Sequence, residues 1–283
     1  MNSDAISAMG AQLGPEVLAR CEALYDGEQK ALAARVASFA NDVPYGPHER
    51  QRLDIYAPDG AGPWPILVFV HGGGFLKGEK GIAERWPNAN VGRMAAESGF
   101  LGVVINYRLA PENVFPAGAE DVAATVDWLK ANVAAHNGDP AKIVLMGTSA
   151  GAVHVAGYLK LRPNAAQDIC GAILLSGLYG YTPLDDRDTL YYGKHELYAD
   201  RMPLDAVAST TLPLLIASAE YDPPRFQTEF AELVKDRLER HGESTRSYVA
   251  ADQNHYSMTM HLGTSDTRLA DEICSFVTGV TTT

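Results

Sequence analysis

The segment Gly147-Thr148-Ser149-Ala150-Gly151 has the form G-x-S-x-G. It follows the apolar run Ile143 to Met146 and leads directly into a helical pattern. Strand, sharp turn and helix together expose a serine as a nucleophile. Flanking glycines suit a strained turn that neighbouring backbone must pass closely. The helix N-terminus favours negative charge beside the serine. The plain alternative is a tight turn holding an idle serine; the placement favours Ser149 as nucleophile.

A serine nucleophile needs a base, and the base needs an orienting acid. Sites of this kind run Ser, Asp/Glu, His along the chain. Histidines stand at 48, 71, 136, 154, 195, 241, 255 and 261. His255, in Asp252-Gln253-Asn254-His255-Tyr256-Ser257, follows the late run Tyr248 to Ala250 and is the expected base. His261 is its rival, and His241 reads as a helix-ending cation. Past the run Leu214 to Ala217 lies Ala219-Glu220-Tyr221-Asp222-Pro223-Pro224. Asp222 is the expected acid and Glu220 the rival. Its task is to orient the imidazole and stabilise the imidazolium. One aspartate alone signals little; the joint order of Ser149, Asp222 and His255, each after a successive apolar run, carries the reading.

The chemistry also needs donors for a developing oxyanion. His71-Gly72-Gly73-Gly74-Phe75 follows the run Ile66 to Val70. Three glycines leave backbone N–H groups unshielded, and removing one such donor typically costs about 3 kcal/mol in the transition state. The amide of Ala150 would complete the set. The loop has neither the GxxxxGK[ST] nor the G-x-G-x-x-G spacing, so a nucleotide cradle is a poor reading. His71 is expected to fix the loop.

These residues need a scaffold. Short apolar runs at Leu53 to Tyr56, Ile66 to Val70, Gly102 to Asn106, Ile143 to Met146, Ala172 to Leu175, Leu214 to Ala217 and Tyr248 to Ala250 alternate with helical patterns. Val122, Val126, Leu129 and Val133 share one helix face; Phe226, Phe230, Leu233, Val234 and Leu238 another; Leu269, Ile273, Phe276 and Val277 a third. This predicts an α/β chain with a mostly parallel sheet covered on both faces. Ligands then bind beyond the carboxyl ends of the strands. Near the N-terminus a helix begins at Pro15, with Val17, Leu18, Cys21, Leu24 and Tyr25 on one face. Gly27 is expected to break it before a second helix from Gln29 to Phe39. Residues 181–211 break the alternation and read as an insertion. With about residues 1–45 they would form a small helical cap on a single domain spanning 1–283. The plain alternative is a surface excursion.

The 283 residues carry 23 Lys and Arg against 35 Asp and Glu, a net charge of −12. That argues against a general nucleic-acid surface or a polybasic membrane anchor and leaves room for local basic pockets. No apolar run approaches the roughly 18 residues of a membrane span. The N-terminus lacks a secretory pattern. Cys21, Cys170 and Cys274 are far apart and odd in number, which points to reduced thiols in a cytoplasmic protein.

Taken together, HGGGF (71–75), YRLAPE (107–112), FPAGAED (115–121), GTSAG (147–151), EYDPP (220–224) and NHYS (254–257) resemble the α/β-hydrolase fold. Within that fold the resemblance is to the hormone-sensitive-lipase-like carboxylesterases. It covers roughly residues 50–280 in the family's order. It implies Ser149, Asp222 and His255 as a triad and the amides of Gly73, Gly74 and Ala150 as the oxyanion hole. It also implies a helical cap, and a homodimer. Two positions depart from the pattern: Thr148 stands where an acidic residue usually precedes the nucleophile, and Ala152 where a glycine usually follows. Tyr107, Arg108, Pro111 and Glu112 read as scaffold. The expected activity is hydrolysis of small-molecule carboxylic esters through an acyl-enzyme, with no metal or organic cofactor. Phe75, Trp86 and the tyrosines around 179–198 would favour short acyl chains or aromatic alcohols, and Trp86 reads equally as plain core. Two alternatives remain open: an amide hydrolase of the aryl formamidase type, and a non-catalytic ligand-binding protein on this fold.

Overall fold

A computed structural model describes residues 2–82 and 85–282. Its eight-stranded sheet runs β1-β2-β4-β3-β5-β6-β7-β8. The strands are β1 (Ala40–Pro44), β2 (Arg52–Tyr56), β3 (Trp64–Val70), β4 (Leu101–Ile105), β5 (Gly138–Thr148), β6 (Gly171–Leu175), β7 (Leu214–Tyr221) and β8 (Arg246–Asn254). β1 pairs with β2 and β2 with β4 in antiparallel register; the other neighbours are parallel. Residues such as Val68, Val70, Val103, Leu145, Ile173 and Leu174 are fully buried. That is why the central strands read as continuous apolar runs instead of alternating ones.

Strand order reverses at β3, which lies between β4 and β5. A crevice opens at such a switch point beyond the strand C-termini. The glycine loop leaves β3 and the serine turn leaves β5, so the topology brings the two motifs side by side.

The helices are α1 (Ser3–Met9), α2 (Pro15–Arg35), α3 (Ala89–Glu97), α4 (Ala117–Asn132), α5 (Ala150–Leu161), α6 (Thr189–Tyr192), α7 (Tyr198–Arg201), α8 (Leu204–Ser209), α9 (Pro224–His241), α10 (Ser257–Met260) and α11 (Arg268–Thr281). One sheet face is covered by α4, α5 and α9 through Val122, Val126, Leu129, Val155 and Leu233. The other is covered by α3 and α11 through Val91, Met94, Ile273, Phe276 and Val277. Among the described residues no helix is long and apolar enough to cross a membrane.

Two N-terminal expectations are corrected. First, α2 continues through Gly27 as a single helix to Arg35. A Cβ at Gly27 would meet open space, so this is an exposed position. The glycine costs about 1 kcal/mol of helix propensity there, less than the burial of Val17, Cys21, Tyr25 and Leu32 returns. Second, residues 40–44, counted above with the cap segment, form the outer strand β1. Its sequence ANDVP has no apolar run because it pairs on one side only and stays largely in solvent.

The inserted stretch between β6 and β7 is held down by α9. Glu229 is fully buried and accepts the backbone N–H groups of Tyr179 (2.7 Å), Gly180 (3.1 Å) and Thr182 (2.8 Å). Arg225 donates to Pro183 O (2.9 Å) and pairs with the buried Asp188 (2.7 Å). Aromatic residues Tyr191, Tyr192 and Tyr198 then pack over Ala150 and Val153 at the start of α5. The insertion thus sits above the serine turn.

Candidate active site

Ser149 occupies the turn between β5 and α5 with φ 53° and ψ −122°. Such a conformation costs of order 1–3 kcal/mol and persists only where surroundings impose it. They do so here. A Cβ at Gly151 would stand 2.0 Å from the Val70 carbonyl oxygen, so only glycine lets α5 start this close to β3. The Ser149 N–H donates to Leu175 O (2.9 Å), which extends the β5–β6 ladder into the turn. The side chain is left partly exposed at a cavity of about 670 Å³.

The glycine loop reaches the same cavity through Gly72, Gly73 and Gly74. Gly73 and Gly74 have φ of 130° and 60°. A Cβ at Gly73 would overlap the Lys77 carbonyl oxygen at 1.7 Å. The loop folds back on itself there, with Leu76 N and Lys77 N donating to Gly73 O (both 3.3 Å). Among the described residues the N–H groups of Gly73 and Gly74 have no acceptor. Beneath the loop, His71 donates from Nδ1 to Gly72 O (2.6 Å) and stacks on Tyr107 at 4.5 Å. Arg108 clamps Asp121 (2.9 Å), whose other partners are Arg108 N (2.7 Å) and Gln51 (2.8 Å). YRLAPE and FPAGAED are therefore tied to each other below the site.

Asp222, at the end of β7, is fully buried. Its Oδ1 lies 2.7 Å from His255 Nδ1. Its Oδ2 accepts from Ser176 Oγ (2.6 Å), Ser218 Oγ (2.9 Å) and Ala219 N (2.8 Å). Burial pushes the Asp222 carboxyl up. The His255 hydrogen bond and charge, with Ser176 and the Ala219 amide, outweigh it and hold the group below its ordinary value. An ionised Asp222 can only accept, so His255 donates from Nδ1 and keeps Nε2 as an acceptor. His255 lines the same cavity as Ser149. Among the described residues Ser149 Oγ has no hydrogen-bond partner, an open arrangement typical before substrate arrives.

The His255 loop rests on α2. Gln29 donates to Met260 O (2.8 Å) and Leu262 O (2.9 Å), Tyr25 to Gln253 (3.2 Å), and Gly14 N to the Tyr256 hydroxyl (3.1 Å). The N-terminal segment is thus both a cavity wall and a brace for the imidazole.

The rivals lie elsewhere. His261 is buried and donates to Ser257 O (2.9 Å). Glu220 accepts from Asp252 N (2.7 Å) at the surface. His241 ends α9 against Ala208 O (3.0 Å). Phe75 and Trp86, expected to contact substrate, do not line the cavity. Phe75 is buried against Tyr191, with ring centroids 4.6 Å apart. Trp86 packs with Ile6, Met9 and Cys21 from the N-terminal helices. A large aromatic after a glycine loop reads equally as wall or core, and here the insertion covers it. Sequence reasoning missed Ser176, Ser218 and Phe226. Ser176 follows β6 at the ligand end of the sheet, a placement that could have drawn attention. Phe226 packs on the His255 ring at 4.3 Å, which no linear spacing announces. Among the described residues no group of three or more His, Cys, Asp or Glu is placed to hold a metal ion.

Two other buried histidines set an acid limit. Burial lowers His71 to a pKa of about 4 and His154, which also feels His71, to about 3. Both fold neutral. The unfolded chain takes up their protons near pH 6.5, so their contribution is complete above that pH and is lost as pH falls toward 4. Each then weakens the fold by up to about 1.4 kcal/mol per pH unit. Denaturant midpoints measured from pH 7.5 to 4.5 should fall steadily below about 6.5; a flat profile contradicts this assignment.

Residues 53–173 match the BD-FAE family. The esterase LipQ of Mycobacterium tuberculosis is 27% identical over 275 residues, 86% of this chain and 63% of that protein. The carboxylesterase NlhH of the same organism is 30% identical over 190 residues, 57% of each chain. A probable isoprenylcysteine alpha-carbonyl methylesterase of rice (Oryza sativa) is 41% identical over 121 residues, 42% of this chain and 27% of that protein. The chain therefore spans less than two thirds of the length of these curated relatives. Among solved structures, a hyperthermophilic esterase from Pyrobaculum calidifontis superposes with a TM-score of 0.74 at 22% identity, covering 98% of this chain and 96% of that one. At that identity the likeness speaks for the fold.

Proposed function

We propose that this chain, an α/β-hydrolase by fold and similar in sequence to carboxylesterases, is a serine hydrolase of small carboxylic esters. The observation that carries the reading is a strained serine sharing one cavity with an imidazole whose Nδ1 is bound to a buried, ionised aspartate.

In this reading His255 Nε2 takes the Ser149 proton as Oγ attacks the ester carbonyl. The oxyanion is met by the amides of Gly73, Gly74 and Ala150. Asp222 holds the imidazole in register and offsets the imidazolium charge. His255 returns the proton to the departing alkoxide, leaving an acyl-enzyme. A water activated by the same nitrogen then releases the acid. The cavity volume lies within the range of small-molecule sites. Leu18, Phe226, Tyr256 and Met260 supply its apolar wall, the part assigned above to Phe75 and Trp86. This supports short acyl chains. The cap, from the N-terminal helices and residues 181–211, belongs to the same proposal, as do the cytoplasmic location and a homodimer.

The test is hydrolysis of p-nitrophenyl esters from acetate to dodecanoate, beside matched anilides. Turnover should peak at short chains and exceed the anilides. A preference for the anilides would transfer the reading to amide hydrolysis; rates at background for every ester would overturn it.

A further inference from the structure

The insertion delivers one charged side chain to the cavity that the reaction above does not use. Arg187 lies in the short turn Asp186–Asp188, whose position is set by the capping box between Asp185 and Asp188 and by the Asp188–Arg225 pair at 2.7 Å. From there its guanidinium crosses to the glycine loop. A Cβ at Gly74 would stand 3.0 Å from both Cζ and Nη2 of Arg187. The missing side chain at position 74 is therefore the seat of the arginine as well as a route to a backbone amide.

The charges lining this cavity divide into matched and unmatched ones. Glu22 is paired with Arg85. Glu79 is paired with Arg50 (3.4 Å) and takes the Asn106 amide. Lys77 and Arg187 line the same cavity, and among the described residues neither side chain has an ion-pair or hydrogen-bond partner. Asp186 and Asp188, the neighbours of Arg187 in sequence, do not line it. Among the described residues, a chain with net charge −12 thus presents two unmatched cations in the cavity that Ser149 also lines.

We propose that Arg187, assisted by Lys77, selects esters that carry a carboxylate near the scissile bond. This rests on the esterase reading and narrows its substrate class. A planar guanidinium binds a carboxylate with two parallel hydrogen bonds. Placed over Gly74, it would hold that carboxylate within one small-molecule length of the oxyanion amides. The carboxylate could stand on the acyl side, as in a half-ester of a short dicarboxylic acid, or on the alcohol side, as in a carboxyphenyl ester.

Two substrate pairs separate these sources: mono-p-nitrophenyl glutarate against p-nitrophenyl valerate, and 3-acetoxybenzoate against phenyl acetate. The wild-type chain should show at least a tenfold higher kcat/KM for the anionic member of one pair. That pair identifies the side. Arg187→Leu should reduce the anionic-to-neutral ratio at least tenfold, mainly through KM, and Arg187→Lys should restore part of it. Raising salt from 0.05 to 0.5 M should lower the ratio for wild type and leave it level for Arg187→Leu. Equal handling of both members of both pairs by wild type, or a ratio insensitive to Arg187→Leu, overturns the inference while leaving the esterase reading intact. Failure of wild type to turn over even the neutral esters above a Ser149→Ala control overturns both.

Discussion

Ser149→Ala should lower kcat on a short-chain ester by roughly five to six orders of magnitude, with circular dichroism and thermal midpoint close to wild type. The side chain is one small hydroxyl at a partly exposed position, so little packing is lost. The backbone strain at φ 53° is already borne by serine, and alanine inherits it without new contacts. What disappears is the proposed nucleophile. A residual rate above water would come from the Gly73, Gly74 and Ala150 amides, since such donors and binding retain part of the acceleration after the triad is broken. A variant that kept a tenth of wild-type turnover would remove Ser149 from the chemistry.

Asp222→Asn should lower kcat by about four orders of magnitude, for a reason visible in its partners. Oδ2 accepts three donors: two serine hydroxyls and the Ala219 amide. The hydroxyls can rotate, but the Ala219 N–H must have an acceptor. An asparagine placed there gives that amide its carbonyl oxygen and turns its NH₂ toward His255 Nδ1. The imidazole must then accept at Nδ1 and carry its proton on Nε2, where it cannot take one from Ser149. Protein loss is not the expected cause, and stability against pH separates the two. Asp222 is held below its ordinary value, so its stabilisation is complete above the unfolded pKa of about 3.9 and is lost as pH falls through the folded value. The stability gap between wild type and Asp222→Asn should therefore be constant from pH 7 down to about 5 and narrow only in stronger acid. Glu220→Gln, at the surface, should leave kcat within about twofold of wild type, as surface changes generally do.

What could be read in the sequence followed from strict local requirements. A nucleophile turn must have small residues around it, and Gly151 under the Val70 carbonyl shows why. Parallel strands buried on both faces must be apolar, so β3 to β7 announced themselves, while antiparallel β2 and edge strand β8 showed shorter runs at Leu53 to Tyr56 and Tyr248 to Ala250. The eighth, Ala40–Pro44, pairs along one edge and needs no apolar run. Asp222 and His255 were named from chain order, and the sheet brings them to 2.7 Å across 33 residues of sequence. Gly27 misled because propensity is weak against the contacts of a long helix. Phe75 and Trp86 misled because residue type does not tell a pocket wall from a core, and the covering elements come from distant segments. Ser176, Phe226 and Arg187 were missed for the same reason: each acts through a partner 46, 29 or 113 positions away, at Asp222, His255 and Gly74.

The central claim is that Ser149 is the attacking atom, and covalent capture tests it most directly. The chain should be treated with a fluorophosphonate, digested, and its peptides mapped by mass spectrometry. One stoichiometric adduct on Ser149 is expected, formed at a rate that falls sharply in Asp222→Asn and absent in Ser149→Ala. An adduct on another residue, or no adduct in a chain that still hydrolyses esters, would contradict it.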